Sequence, residues 1–148
     1  MKTLVALALL GTLAATAAAP LPIIPQPVAV QPGEGAFAFS ATTAIRHDRK
    51  LAAEAKLFAD DLSKLTGTPT TTVTKELRIF LESEILLELD PAADLPPSGY
   101  RLEITAKTVR IIGKDAAGAY YGTRSVLQLL PAGKLENDTA HLPATTIT

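Results

Sequence analysis

Between Tyr100 and Ile112 the side chains alternate in character twice over. Tyr100, Leu102 and Ile104 interleave with Arg101, Glu103 and Thr105; Val109 and Ile111 then interleave with Thr108, Arg110 and Ile112. Successive strand residues point to opposite sides of a sheet, so the pattern makes one apolar and one charged face. Ala106-Lys107 separates the halves and predicts an antiparallel hairpin with a tight connection. A sheet of this kind is covered on one side only.

The period then changes. Asp115 opens a predicted helix running to about Leu130, with Ala117, Tyr120, Tyr121, Arg124, Leu127 and Leu130 at helical spacing. Gly118 and Gly122 lie one turn apart on one face. Each costs up to about 1 kcal/mol relative to alanine in a helix. Such a pair implies close approach to the sheet or to the neighbouring helix. Pro131 and Gly133 end the helix, and Leu142 to Ile147 has the composition of a last strand.

Upstream, Leu51, Ala55, Phe58, Leu62 and Leu65 are spaced 4, 3, 4 and 3, one face of an amphipathic helix. Asp48 fits its N-cap and Gly67 its C-terminal stop. Val28-Ala29-Val30, Phe37-Ala38-Phe39 and Thr43-Ala44-Ile45 read as two or three short strands, with Pro32, Gly33 and Gly35 as turns. Leu77, Ile79 and Leu81 alternate with Glu76, Arg78, Phe80 and Glu82 and read as a strand. The stretch from Glu84 to Ser98, with Asp90-Pro91 and Pro96-Pro97, ends as a loop. The order strands, helix, strand, hairpin, helix, strand predicts an α+β fold: a mostly antiparallel sheet with two helices packed on one face.

The first nineteen residues stand apart. Lys2 and the terminal amine precede an apolar run from Leu4 to Leu13, and small residues follow to Ala19. This is the pattern of a secretory signal peptide, and the run is shorter than the roughly 20 apolar residues of a membrane span. Pro20 sits badly just after a cut, so cleavage is expected at Ala18 or earlier. Export, to a periplasm or the extracellular space, is the expectation. The mature domain, residues 20–148, opens as Pro20-Leu-Pro-Ile-Ile-Pro-Gln-Pro, whose prolines enforce an extended lead-in.

Composition narrows the chemistry. The chain carries 14 Lys+Arg against 15 Asp+Glu, with no basic run, which argues against a nucleic-acid partner. It has no cysteine and two histidines, His47 and His141, so thiolate chemistry and thiolate–zinc sites are excluded. HExxH, GxSxG and a Gly-Lys-Ser/Thr after Gly113 and Gly118 are all missing. Glu82, Glu84, Glu88 and Asp90 could supply the carboxylate pair of a glycosidase, but solvated surface charge explains them better. His47-Asp48 could pair a base with its orienting acid, though Asp48 is better explained as a cap. Tyr120-Tyr121 could stack on a sugar, but at least one is expected in the core. Asn137-Asp138-Thr139 is a glycosylation sequon. No catalytic, cofactor-binding or metal-ligating residue emerges.

Several segments together resemble the domain that precedes the barrel in glycoside hydrolase family 20, the β-N-acetylhexosaminidases. They are Pro25-Gln26-Pro27-Val28 with Gly35-Ala36-Phe37, then Gly99-Tyr100-Arg101-Leu102-Glu103-Ile104 and Val109-Arg110-Ile111-Ile112-Gly113. Ala117-Gly118-Ala119-Tyr120-Tyr121-Gly122-Thr123-Arg124 and Leu127-Gln128-Leu129-Leu130 follow in the same order. Two departures are minor: Ser98 where an acidic residue is common, and Ser125-Val126 where Thr-Leu is usual. The resemblance implies an accessory, non-catalytic domain of an exported exo-β-N-acetylhexosaminidase that removes terminal N-acetylhexosamine. It implies an intramolecular partner, a (β/α)8 barrel carrying the catalytic Asp-Glu pair of a substrate-assisted mechanism. Glycan would be met only through that barrel. No catalytic residue carries over, no cofactor is expected, and the isolated chain is expected to be inactive with an apolar patch near its C-terminus. The alternatives are a free-standing secreted module that binds glycan or protein, or the equivalent domain of another glycosidase family.

Overall fold

The computed structural model describes residues 21–77, 81, 83–131 and 139–148. Seven strands form one sheet: β1 (Val30–Ser40), β2 (Ala44–His47), β3 (Thr71–Thr74), β4 (Glu84–Leu89), β5 (Tyr100–Ile104), β6 (Thr108–Gly113) and β7 (Thr139–Ile147). Their spatial order is β1-β7-β5-β6-β4-β2-β3. Two helices accompany them, α1 (Ala52–Thr66), entered through a 3-10 turn at Arg49–Leu51, and α2 (Ala116–Leu129). The α+β architecture is as expected.

The sheet is mixed rather than mostly antiparallel. β1–β7, β7–β5 and β5–β6 pair antiparallel, whereas β6–β4, β4–β2 and β2–β3 pair parallel. The cause is the placement of α1. A helix between two strands returns the chain to its starting end, so β2 and β3 must run the same way. Inserting β4 beside β2 then extends the parallel half.

The predicted hairpin is β5–β6, in register Leu102↔Ile111 and Glu103↔Arg110. Leu102, Ile104, Val109 and Ile111 are buried, and they face α1 and α2 with Phe37, Phe39, Ile45, Ile85, Leu87 and Leu142. From α1 the stripe Leu51, Ala55, Phe58 and Leu62 completes this core. Each large side chain so buried contributes about 2 kcal/mol. Gly67 stops α1 in the left-handed region at φ 71°, its N–H donating to Ser63 O. Leu130 leaves α2 extended, at ψ 139°, because Pro131 disfavours a helical predecessor.

Several local details differ from the expectations. Pro32, Gly33 and Gly35 lie inside β1, where the register shifts between Pro32 and Ala36. β1 is an edge strand, and an edge tolerates proline and a bulge. The strand expected over Leu77–Leu81 is not the one described: Leu77 lies in an exposed bend, and Arg78, Ile79, Phe80 and Glu82 lie outside the described residues. The strand described in this stretch is β4, which begins seven residues after Leu77 and is flanked by β2 and β6. The threonine strand β3 carries little apolar signal because it forms the other edge. Asp48 precedes the 3-10 turn but makes no side-chain cap; its Oδ2 instead accepts Leu89 N at 2.8 Å.

The buried side of α2 also differs from the apolar reading. Gly118, Ala119, Gly122, Thr123, Ser125 and Val126 face inward, while Ala117 and Tyr121 are exposed. Small residues win the inner face because the helix backbone lies almost against the sheet. A Cβ on Gly118 would collide with the carbonyl oxygen of Gly99; one on Gly122 would collide with Ile111 Cγ2 and stand 3.2 Å from the Tyr100 ring.

Alanine at either glycine gains up to about 1 kcal/mol of helix propensity but overpacks this contact by about 1–3 kcal/mol. Gly118→Ala is expected to lower the urea midpoint more than Gly122→Ala, because backbone yields less than a side-chain methyl. Leucine at either position is expected to destabilise further. A Gly118→Ala midpoint at or above wild type would contradict the packing.

Candidate functional site

The sequence candidates are not brought together as a catalytic group. Glu84 accepts Arg46 Nε at 2.8 Å. Glu88 accepts Arg110 Nε and lies 3.6 Å from Lys75 Nζ, which also pairs with Asp48 at 3.2 Å. Arg110 reaches Glu103 at 3.5 Å. These pairs lie across the sheet face turned away from the helices. The hydrogen bond that Lys75 donates to Asp48 is the main cause that raises Lys75 above its usual value, and the one that Arg110 donates to Glu88 does the same for Arg110. Asp90 caps its own turn, accepting Ala92 N at 3.0 Å. His47 is buried and its Nδ1 lies 2.9 Å from the carbonyl oxygen of Asp48, not from the carboxylate, so the two form no base–acid pair. Glu82 and Asn137 lie outside the described residues. Among the described residues no three His, Cys, Asp or Glu side chains gather where a metal could bind, and no helix is long and apolar enough to cross a membrane.

The feature with binding character is a groove of about 730 Å³ beside α2. One wall is the lead-in from Ile23 to Val28; another is Tyr121, Arg124, Ser125 and Gln128 of α2; Leu95 to Gly99 and Thr148 close it. The lead-in is held as a strand would be. Ile24 N donates to Gln128 Oε1 at 2.6 Å and Gln128 Nε2 donates back to Ile24 O at 3.2 Å. Ala29 and Thr148 exchange both backbone hydrogen bonds at 3.1 Å. Ile23 plugs into the core.

The other groove groups are also engaged. Arg124 Nη1 donates to Asp61 of α1 at 2.6 Å and its guanidinium covers the Tyr120 ring at 4.7 Å. Tyr120 meets Tyr121 edge-on, centroids 5.7 Å apart. Tyr120 is thereby half-buried and Tyr121 exposed, so neither lies fully in the core. Tyr100 and Ser125 share a hydroxyl–hydroxyl bond of 2.5 Å. The local motifs around Pro25-Gln26-Pro27 and Gln128 carry no sign of the Ile24–Gln128 contact, which spans 104 residues.

This arrangement matches a known family model, "Glycosyl hydrolase family 20, domain 2", over residues 21–148. The chain belongs to glycosyl hydrolase family 20. Two curated relatives agree. The lacto-N-biosidase of Bifidobacterium bifidum is 34% identical over 117 residues, covering 78% of this chain and 10% of that protein. The beta-hexosaminidase of Porphyromonas gingivalis is 33% identical over 127 residues, covering 83% and 16%. Among solved structures, the GH20 β-N-acetylhexosaminidase of Streptomyces coelicolor A3(2) superposes with a TM-score of 0.72 at 26% identity, over 88% of this chain and 26% of that one. This family 20 domain therefore spans a small part of each relative.

Within the family 20 domain, Asp115 ties the groove's loop to α2. Its Oδ1 accepts Gly118 N at 2.8 Å and its Oδ2 accepts Ser98 N at 2.9 Å. Ser98 is held at φ 60°, a costly conformation for a residue with a side chain. The two backbone N–H groups, Gly118 first, depress the Asp115 carboxyl below its ordinary value of 3.8. A depressed carboxylate stabilises fully above its unfolded value and loses that contribution as pH falls through the folded one. Acid unfolding curves of wild type and Asp115→Asn are expected to converge below pH 3.8, with wild type more stable above it. A constant gap from pH 7 to pH 2 would show that the carboxylate charge is not what holds the loop.

Proposed function

We propose that this domain is the accessory part of an exported, exo-acting β-N-acetylhexosaminidase, seated against a catalytic barrel on the same polypeptide and without turnover of its own. The observation that carries this reading is the disproportion of lengths. A domain matched over most of itself covers only 10% and 16% of relatives named for glycosidase activity. Its own carboxylates support the same reading. Glu84 and Glu88 are paired with Arg46, Arg110 and Lys75, which supports a structural role for both carboxylates. The leader pattern of residues 1–19 supports export.

Purified chain is expected to release no chromophore from an aryl N-acetylglucosaminide above a heat-killed control. Turnover that is abolished by mutating one of its carboxylates would overturn the reading. Export is checked separately: intact-mass analysis of secreted protein should show a chain that lacks the leader, and a secreted mass including Met1 would remove the signal peptide.

A further inference from the structure

We propose that Pro32 and the two-residue bulge Glu34-Gly35 guard the outer edge of β1 against pairing with a second copy of this chain. The guard is a device of the backbone and stands independently of the accessory-domain reading.

The need for a guard follows from the hydrogen-bond phase. Among the described residues β1 has β7 on one side and no strand on the other. Ala29 and Thr148 exchange both backbone bonds. Bonded and unbonded pairs alternate along an antiparallel ladder. Val30, opposite Ile147, therefore aims its N–H and C=O outward, and position 32, opposite Thr145, has the same phase. A row of such free groups is a template for a further strand. Charge does not oppose that pairing. No charged residue lies between Pro20 and Gly33, and β7 holds no Lys, Arg, Asp or Glu. The far strands, by contrast, carry Arg46–Glu84 and Arg110–Glu88. Val28 is 97% exposed and Val30 40%, so apolar β-branched surface lies beside the open edge. Uncharged, β-branched edge segments are those that pair between molecules.

The guard occupies that edge. Position 32 is a proline, so the outward row lacks a donor where a second strand would need one. The register then slips: Gly33, Glu34 and Gly35 lie between Pro32 and Ala36, where β7 has Ala144 alone between Thr145 and Pro143. A Cβ on Gly33 would stand 3.2 Å from that of Ala144, so Gly33 is its partner and Glu34-Gly35 is the insertion. Gly35 adopts φ 87°, a conformation that side-chain residues rarely take. The bulge bends the strand and interrupts the straight run that a partner would follow. It also exposes Glu34, the first acidic residue of the chain. In a two-fold pairing centred here the two Glu34 carboxylates would meet, and like charges directly opposite destabilise a sheet. Beyond the bulge β1 closes on itself: Ser40 N donates to Thr43 Oγ1 and Ser40 O accepts Thr43 N, both at 3.0 Å. The other edge, β3, has only four residues, and shortness is its protection.

The test restores a regular edge. Pro32→Val returns the outward N–H, removal of Glu34 and Gly35 returns one-to-one register with β7, and a third variant combines the two. Pro97→Val, in an exposed loop, is the control. Purified chains are compared by sedimentation over a range of concentrations, thermal melts confirm folding, and hydrogen exchange is read at the Val30 amide by NMR. The combined variant is expected to self-associate at least about tenfold more tightly than wild type, since a two-fold pairing gains each restored bond twice. Its Val30 amide is expected to exchange more slowly as concentration rises, while wild type and the control show neither change. Pro32→Val keeps the bulge and is expected to shift both readouts the same way by less, so it supplies the answer if the shortened strand does not fold. Folded variants no more associated than wild type would overturn the guard. So would association that leaves Val30 exchange unchanged, which would place the contact elsewhere on the surface. An equal effect of Pro97→Val, or concentration-dependent Val30 protection in wild type, would overturn it as well.

Discussion

The contact between α2 and the β5–β6 hairpin leaves no room for a side chain, and much of the domain depends on it. Gly118 lies against the Gly99 carbonyl and Gly122 against Ile111 and Tyr100. Because the helix is that close, the strand residues beneath it are sealed by backbone and by small side chains such as Ala119 and Ser125. The glycines sacrifice helix propensity, and the buried layer of Leu102, Ile104, Val109 and Ile111 offsets the loss. Close approach also sends the tyrosines outward, so Tyr121 becomes a surface group instead of a core one.

That displacement creates the groove. With large side chains expelled from the inner face of α2, its outer face carries Tyr121, Arg124 and Gln128, and Gln128 captures the lead-in backbone. Asp115 holds the Ser98–Gly99 turn to the start of the same helix. One helix thus organises the core on one side and three walls of an apolar depression on the other. The Arg124–Asp61 bond joins α2 to α1, both groups about a quarter exposed.

The two sides of the sheet accordingly differ in kind. The far side spends its charges on one another, Arg46 on Glu84 and Arg110 on Glu88 and Glu103. The pairs on half-exposed Arg110 contribute little stability, roughly 0–1 kcal/mol each, whereas Arg46–Glu84 is more covered. The helical side offers hydrocarbon with its polar groups satisfied. The two faces are thus built for different surroundings, one for water and one for apolar contact.

Local periodicity and turn chemistry were sufficient for the hairpin, for α1 with its Gly67 stop, for α2 from Asp115 to Leu130, and for the α+β class. Each depends on neighbours within a few residues, which is the range over which period and capping act. The family resemblance was likewise carried by short motifs around Gly99, Gly118 and Gln128. Other features needed the fold. Glu84–Leu89 was not read as a strand from its local pattern, and parallel partners on both sides make it β4. The mixed sheet, the inward face of α2 and the acidic residues' pairing were settled in the same way. The groove is the extreme case, because Ile24 and Gln128 are 104 positions apart and Ala29 meets Thr148. The sequence by itself determined the elements, since their signals are local; tertiary structure alone decided the groove, because it exists only where backbone distant in sequence is hydrogen-bonded into one place.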